Sequence, residues 1–184
     1  MTTLTGQILI ALPDMADPRF ERAVVLICAH SEDYTMGLTL NKPIGTLTLP
    51  KLLDQLGIPQ DIHIPDQPVL NGGPVGTDRG FVVHSGDYFC DGATIDVADG
   101  LCMTATRDVL RALAGSGAPR QAMLTLGYAG WGPGQLEAEI ASNCWIVAEP
   151  DHDVVFDAHY GTKWDRALSI IGVHPGFLLG GGEA

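Results

Sequence analysis

The sequence predicts an α+β fold with a mixed, mostly antiparallel sheet and about four short helices. Three observations carry this reading. Apolar runs of strand length arrive in clusters, helical spacing appears only in isolated segments, and glycine or proline separates nearly all of them. Strict alternation of strand and helix, the mark of a parallel doubly wound sheet, does not occur. A chain of 184 residues with 46% hydrophobic content suits one well-buried core. One domain is therefore expected over residues 1–184, with a flexible tail from about residue 176.

Residues 6–12 (GQILIAL) read as a first strand, and residues 23–29 (AVVLICA) as a second, apolar throughout and so covered on both faces. The intervening PDMADPRFE is turn chemistry. Residues 35–40 (TMGLTL) alternate and fold back through a polar link, making the first unit an antiparallel hairpin. Asn41-Lys42-Pro43 ends that strand, because proline has no N–H to give a ladder. Leu49, Leu52, Leu53 and Leu56 share one helical face, with Gly57 placed to cap it. An acidic, proline-rich loop follows over residues 59–68.

Val69-Leu70 and residues 80–84 (GFVVH) read as strands joined by NGGPVGTDR, whose glycines permit positive φ. Residues 85–100 hold one short strand, at 93–97. Thr104 or Thr106 can cap a helix through Val109, Leu110 and Leu113, which stops at Gly115-Ser116-Gly117. Residues 121–126 form a strand and residues 135–141 a helix. Residues 144–148 (CWIVA) and 154–156 (VVF) read as strands separated by the turn EPDHD, and a last helix covers about residues 162–171.

Charge excludes some functions. Ten Lys and Arg against 22 Asp and Glu leave a net charge of −12, which repels nucleic-acid phosphates and anionic lipid. The cations are scattered, with Arg19 and Arg22 the nearest thing to a pair, so direct nucleic-acid binding is not expected. The longest apolar runs fall far short of the ~20 residues that span a bilayer, and the first residues lack a basic segment before an apolar one. A soluble cytoplasmic protein without a membrane partner is expected. Cys28, Cys90, Cys102 and Cys144 form no C-x-x-C pair and read as reduced thiols.

GYAGWGPGQLEAEI, residues 127–140, stands between a strand and a helix, the usual context of a phosphate-binding loop. Its glycine spacing is not G-x-G-x-x-G, no Lys-Ser or Lys-Thr follows, and Glu137 and Glu139 already complement the helix N-terminus. Its glycines read instead as a tight passage from strand to helix, with Leu136 and Ile140 buried against Trp131 and Trp145. Tyr128, Trp131 and Gln135 remain able to line a small apolar pocket.

His30 and His84 each end an apolar run and could meet if their strands are close. His63, His152, His159 and His174 lack metal-ligand spacing, so no metal is expected. No G-x-S-x-G serine is present, and Cys28 beside His30 lies too deep in its run for a reactive thiolate. Asn41-Lys42-Pro43 and Asn71-Gly72-Gly73-Pro74 each set a polar side chain beside a proline. Lys42 and Arg79 are the cations near these turns, so a small anion would go there.

Read in order, GQILIALPDMADPRFERAVVLICAH, MGLTLNKPIG, LNGGPVGTDRGFVVHS, LTLGYAGWGPGQLEAEIASNCWIV and KWDRALSIIG resemble the AlgH/YqgE family of small bacterial proteins. The resemblance implies a bifurcated, partly barrel-like sheet. It implies no established enzyme activity, no cofactor and no catalytic residues. The family name comes from a role proposed in regulating alginate synthesis, hence the class of transcriptional regulators. This chain shows no helix-turn-helix, so a regulator of this kind would act through a protein partner or a small ligand. The positions matching the family that make up the candidate surface are Asn41, Lys42, Gly72, Gly73, Pro74, Arg79, His84, Gly127, Tyr128, Trp131, Gln135 and Glu139. The leading expectation is a non-enzymatic binding or regulatory protein. The alternative is a small hydrolase using His30 or His84 as base near Lys42 or Arg79, with a direct DNA-binding regulator third.

Overall fold

The structure is a computed structural model and describes residues 3–105 and 107–174. Thr106 and the tail expected from about residue 176 lie outside the described residues. In chain order the strands are β1 (Ile8–Ala11), β2 (Val24–His30), β3 (Thr35–Thr39), β4 (Pro43–Thr48), β5 (Pro68–Asn71), β6 (Val75–Ser85), β7 (Thr94–Ala98), β8 (Leu101–Thr104), β9 (Ala122–Trp131) and β10 (Trp145–Ala148). The helices are α1 (Leu49–Gln55), α2 (Arg107–Leu113), α3 (Gln135–Ala141), α4 (His152–Val155) and α5 (Lys163–Ile170), with short 3-10 turns at Pro18–Phe20 and Tyr160–Thr162.

The ten strands form one sheet of order β10-β1-β2-β3-β9-β6-β8-β7, from which β4 and β5 branch. Every pairing is antiparallel except that of β5 with β9. Strand β9 is where the sheet forks. One edge pairs with β6, while the other carries β5 at Thr125 and Leu126 and β3 at Ala129–Trp131. The sheet also curls into a half-barrel, bringing its far strand β7 back to the start of β1. Gly6, at φ +87°, stands so close that a Cβ there would lie 2.6 Å from the Val97 carbonyl oxygen.

The apolar run of β2 is buried on both faces, as expected. Val24, Leu26 and Cys28 enter one core with Trp164, Ala167 and Leu168 of α5, and Val25 and Ile27 enter another with Leu136, Trp131 and Trp145. A further core lies beneath α1 and α2, where Leu49, Leu53, Val109 and Leu113 cover Val82 and Leu124. Lys163, at the start of α5, is wholly buried. Its ammonium donates to the carbonyls of Leu40 (3.0 Å) and Val155 (2.7 Å) and lies 4.9 Å from the centre of the Tyr160 ring. Burial pushes this amine down to about 7.

The structure corrects the sequence reading in five places. Residues 154–156 are not a strand: the Asp151 carboxylate accepts the Val154 N–H (3.1 Å) and starts the single turn of α4. β4 and β8 are additional strands, directed by their partners β5 and by β6 and β7. β6 begins at Val75 instead of residue 80, across an irregular stretch of its ladder with β9. β9 continues to Trp131, so GYAGW is strand rather than turn. Its Gly127, at φ +78°, abuts the β5–β6 turn: a Cβ there would stand 2.4 Å from the Gly73 carbonyl oxygen. Close backbone approach is what the glycine serves.

Candidate functional site

The expected surface residues separate into distinct settings. Trp131 is only 3% exposed. Its indole N–H donates to Glu139 Oε2 at 2.8 Å, the Trp145 indole donates to the same oxygen at 2.9 Å, and Gln135 Nε2 reaches Glu139 Oε1 at 3.3 Å. Gln135 Oε1 accepts from the Gly132 N–H at 3.0 Å. These groups therefore tie α3 to β9 and β10. Phe20 packs on both tryptophans, with ring centres 6.3 and 5.7 Å away.

Asn41 and Lys42 hold the segment that leads into β2. Asn41 Oδ1 accepts from the Val24 N–H (3.0 Å), and its Nδ2 donates to the Arg22 carbonyl (2.8 Å). The Lys42 ammonium donates to the Glu21 carbonyl. Gly72 and Gly73 lie against Gly127 and Tyr128, and Gly73 and Pro74 share with Lys42, Arg19 and Phe20 a small hollow of about 80 Å³. Arg79 is exposed, its guanidinium 5.7 Å from the centre of the Phe81 ring, and Tyr128 meets Phe81 edge-on at 5.9 Å.

The two histidines do not meet, because β3 and β9 lie between β2 and β6 in the sheet. His84 is fully buried, its Nδ1 2.8 Å from the Ser85 carbonyl oxygen and its Nε2 2.7 Å from Thr104 Oγ1. A carbonyl only accepts, so Nδ1 carries a proton, and Nε2 shares its hydrogen bond with the Thr104 hydroxyl. Thr94 Oγ1 lies 2.8 Å from Thr104 Oγ1 and accepts from the Cys90 N–H at 2.9 Å, which satisfies the chain. His30 Nδ1 accepts from the Leu4 N–H (3.0 Å), and its Nε2 faces Glu137 Oε1 at 2.9 Å. The contact with His30 holds the Glu137 carboxyl below the usual range. Burial pushes the Cys28 thiol up to about 12, which leaves no thiolate beside His30.

One site was not legible in the sequence. Between α1 and α2, over β6 and β9, lies a cavity of about 300 Å³ walled by Leu52, Leu56, Val82, Val109, Leu110 and Leu124. Asp78 and Arg107 are the charged side chains of its lining. Arg107 Nη2 donates to the Leu56 carbonyl at 2.9 Å, which fixes the guanidinium beside the end of α1. Thr104 is its hydroxyl, already bonded to His84. The available signal was the excess of leucine in and just after α1: Leu49 and Leu53 fill the core, yet Leu56 stays 38% exposed. Among the described residues, no group of three or more His, Cys, Asp or Glu is arranged to hold a metal ion. No helix among them is long and apolar enough to cross a membrane.

The fold defines an α+β protein built on one curled, forked sheet with helices laid against it. The chain belongs to the AlgH-like family, which it matches over residues 8–176. A UPF0301 protein of Bradyrhizobium diazoefficiens is 49% identical over 182 residues, covering 95% of this chain and 85% of its own. A UPF0301 protein of Rhodopseudomonas palustris is 50% identical, with 95% and 84% covered. The solution structure of the AlgH protein from Pseudomonas aeruginosa superimposes with a TM-score of 0.77 at 37% identity, covering 100% of this chain and 95% of that one. A crystal structure of a Corynebacterium diphtheriae protein reaches 0.72 at 23% identity, over 92% and 88% of the two chains, a likeness of fold alone.

Proposed function

We propose that this chain is a non-enzymatic, cytoplasmic binding protein of regulatory type, which acts through a small apolar ligand taken up between α1 and α2. The observation that carries this reading is the aliphatic wall of the cavity, whose volume of about 300 Å³ sits at the lower end of small-molecule pockets. The hydrolase alternative has less support. Both ring nitrogens of His30 and His84 are already bonded, and Thr104, the hydroxyl beside His84, is wholly buried. Direct DNA binding is disfavoured by the net charge of −12.

The test is a titration with 1-hexanol, read from the methyl NMR signals of Leu52, Leu110 and Leu124. Saturable shifts are expected in the wild type and none in Leu52→Trp, whose ring fills the cavity. Unmoved methyl signals in the wild type would sink the proposal.

A protein partner is the second reading, favoured by one patch. Tyr34 and Val75 are 43% and 42% exposed, and Gly130 lies between the rings of Tyr34 and Tyr128. With Arg79 they give the tyrosine and arginine content typical of interface hot spots. The patch overlaps the Gly72, Gly73, Pro74 and Tyr128 part of the candidate surface.

A further inference from the structure

The segment between β1 and β2 encloses a second cavity, of about 320 Å³, whose lining includes Leu12, Met15, Pro18, Glu21, Arg22 and Trp164. Arg22 has a φ of +54°, a left-handed conformation that glycine adopts freely and a side-chain-bearing residue does not. Neighbours hold it there: Asn41 bonds the Arg22 carbonyl and the Val24 N–H, and Lys42 bonds the Glu21 carbonyl. The guanidinium lies 5.2 Å from the centre of the Trp164 ring, which is itself fixed by donating its indole N–H to the Ala11 carbonyl at 2.8 Å. A long cation thus occupies a backbone position better suited to glycine, on a rigid aromatic platform at a cavity wall. Strain of this kind gathers at functional sites.

Charge points the same way. Arg19 is paired with Asp17 at 2.7 Å, but among the described residues no carboxylate lies within 4.0 Å of Arg22 or Lys42. Burial pushes the Lys42 amine down, and the neighbouring Arg22 charge adds to this against the opposing pull of Glu21. An anion placed here would meet the unpaired Arg22 guanidinium, whereas Lys42 lines the neighbouring hollow with Gly73 and Pro74. Leu12, Met15 and Pro18 offer it an apolar wall, whereas Glu21 disfavours a multiply charged head.

We propose that the cavity of the β1–β2 segment binds a small aliphatic carboxylate, its head on the Arg22 guanidinium and its chain against Leu12 and Met15. A guanidinium offers paired N–H donors that match a carboxylate.

The experiment follows the Trp164 indole ¹H–¹⁵N signal while acetate, hexanoate and inorganic phosphate are added at constant ionic strength. Hexanoate is expected to give a saturable shift at a concentration at least about tenfold below acetate, from burial of its methylenes. Phosphate should bind more weakly than hexanoate. Arg22→Gly removes the cation where glycine suits the backbone, so its melting temperature should hold or rise while hexanoate affinity falls roughly tenfold or more. Should that variant fail to fold, Arg22→Gln supplies the same reading. Leu52→Trp should leave the Trp164 response intact, which separates this site from the α1–α2 cavity. An unmoved Trp164 signal, equal affinity in wild type and the Arg22 variant, or phosphate binding tighter than hexanoate would each overturn the proposal.

Discussion

Trp131 and Trp145 donate their indole N–H groups to one and the same oxygen of Glu139, at 2.8 and 2.9 Å, with their rings edge to face 6.1 Å apart. The carboxylate of α3 thereby joins β9 to β10, strands at different places in the sheet order. Removing it strands two donors in a largely apolar setting. Glu139→Ala is expected to cost about 2–4 kcal/mol of stability, and Glu139→Gln less because one acceptor oxygen remains. Urea denaturation of the two variants checks the order. Trp131→Ala, by the same logic, should lower stability by roughly 3–5 kcal/mol, since the ring is core.

Gly127 in β9 and Gly134 at the start of α3 separate conformational need from spatial need. Gly127 and Gly134 have φ of +78° and +70°, but a Cβ on Gly127 would meet the Gly73 carbonyl oxygen at 2.4 Å while one on Gly134 meets nothing within 4 Å. Gly134→Ala should therefore cost only about 1–2 kcal/mol, the left-handed penalty. Gly127→Ala adds a backbone collision and should cost clearly more or prevent folding. Melting temperatures of the pair decide this, and equal losses would contradict it.

Lys163 predicts a pH dependence. Burial sets its folded value at about 7 against an ordinary 10.5. Between those values the unfolded chain holds a proton that the folded chain has released, so stability rises with pH, by at most about 1.4 kcal/mol per pH unit. The buried Cys28 thiol, raised from 9.0 to about 12, works in the opposite sense above pH 9.0. The window to measure is thus pH 7 to 9. Urea midpoints should climb across it in the wild type and flatten in Lys163→Met.

The Thr94–Thr104–His84 chain is a structural device on the present reading. Thr104→Val removes the hydroxyl that serves both neighbours and is expected to cost about 1–3 kcal/mol. Loss of a hydrolytic turnover without loss of stability would instead favour the enzyme alternative.

Much of the fold was legible because it is written locally. The unbroken apolar run of β2, and the leucine spacing of α1 with the glycine after it, each specify an element from within one segment. The candidate surface was less legible, for burial is not a local property. His84 looks like any aromatic residue at a strand end, yet it bonds Thr104 inside the protein, and Trp131, expected both against Leu136 and on the candidate surface, is core and bonded to Glu139. Arg22 carried no signal at all, because its φ of +54° is held by Asn41 and Lys42, far along the chain.

By itself, the sequence determined the α+β class, the antiparallel hairpin of β2 and β3, and a charge that disfavours anionic polymers. These follow from periodicity, turn chemistry and composition, which act over a few residues or over the whole chain. Only the tertiary structure decided that β9 forks the sheet, that Gly127 must be glycine because Gly73 lies against it, and that α1 and α2 leave a cavity between them. Each depends on segments brought together from distant parts of the chain, and contact between such segments is set by how the sheet curls and not by the sequence on either side.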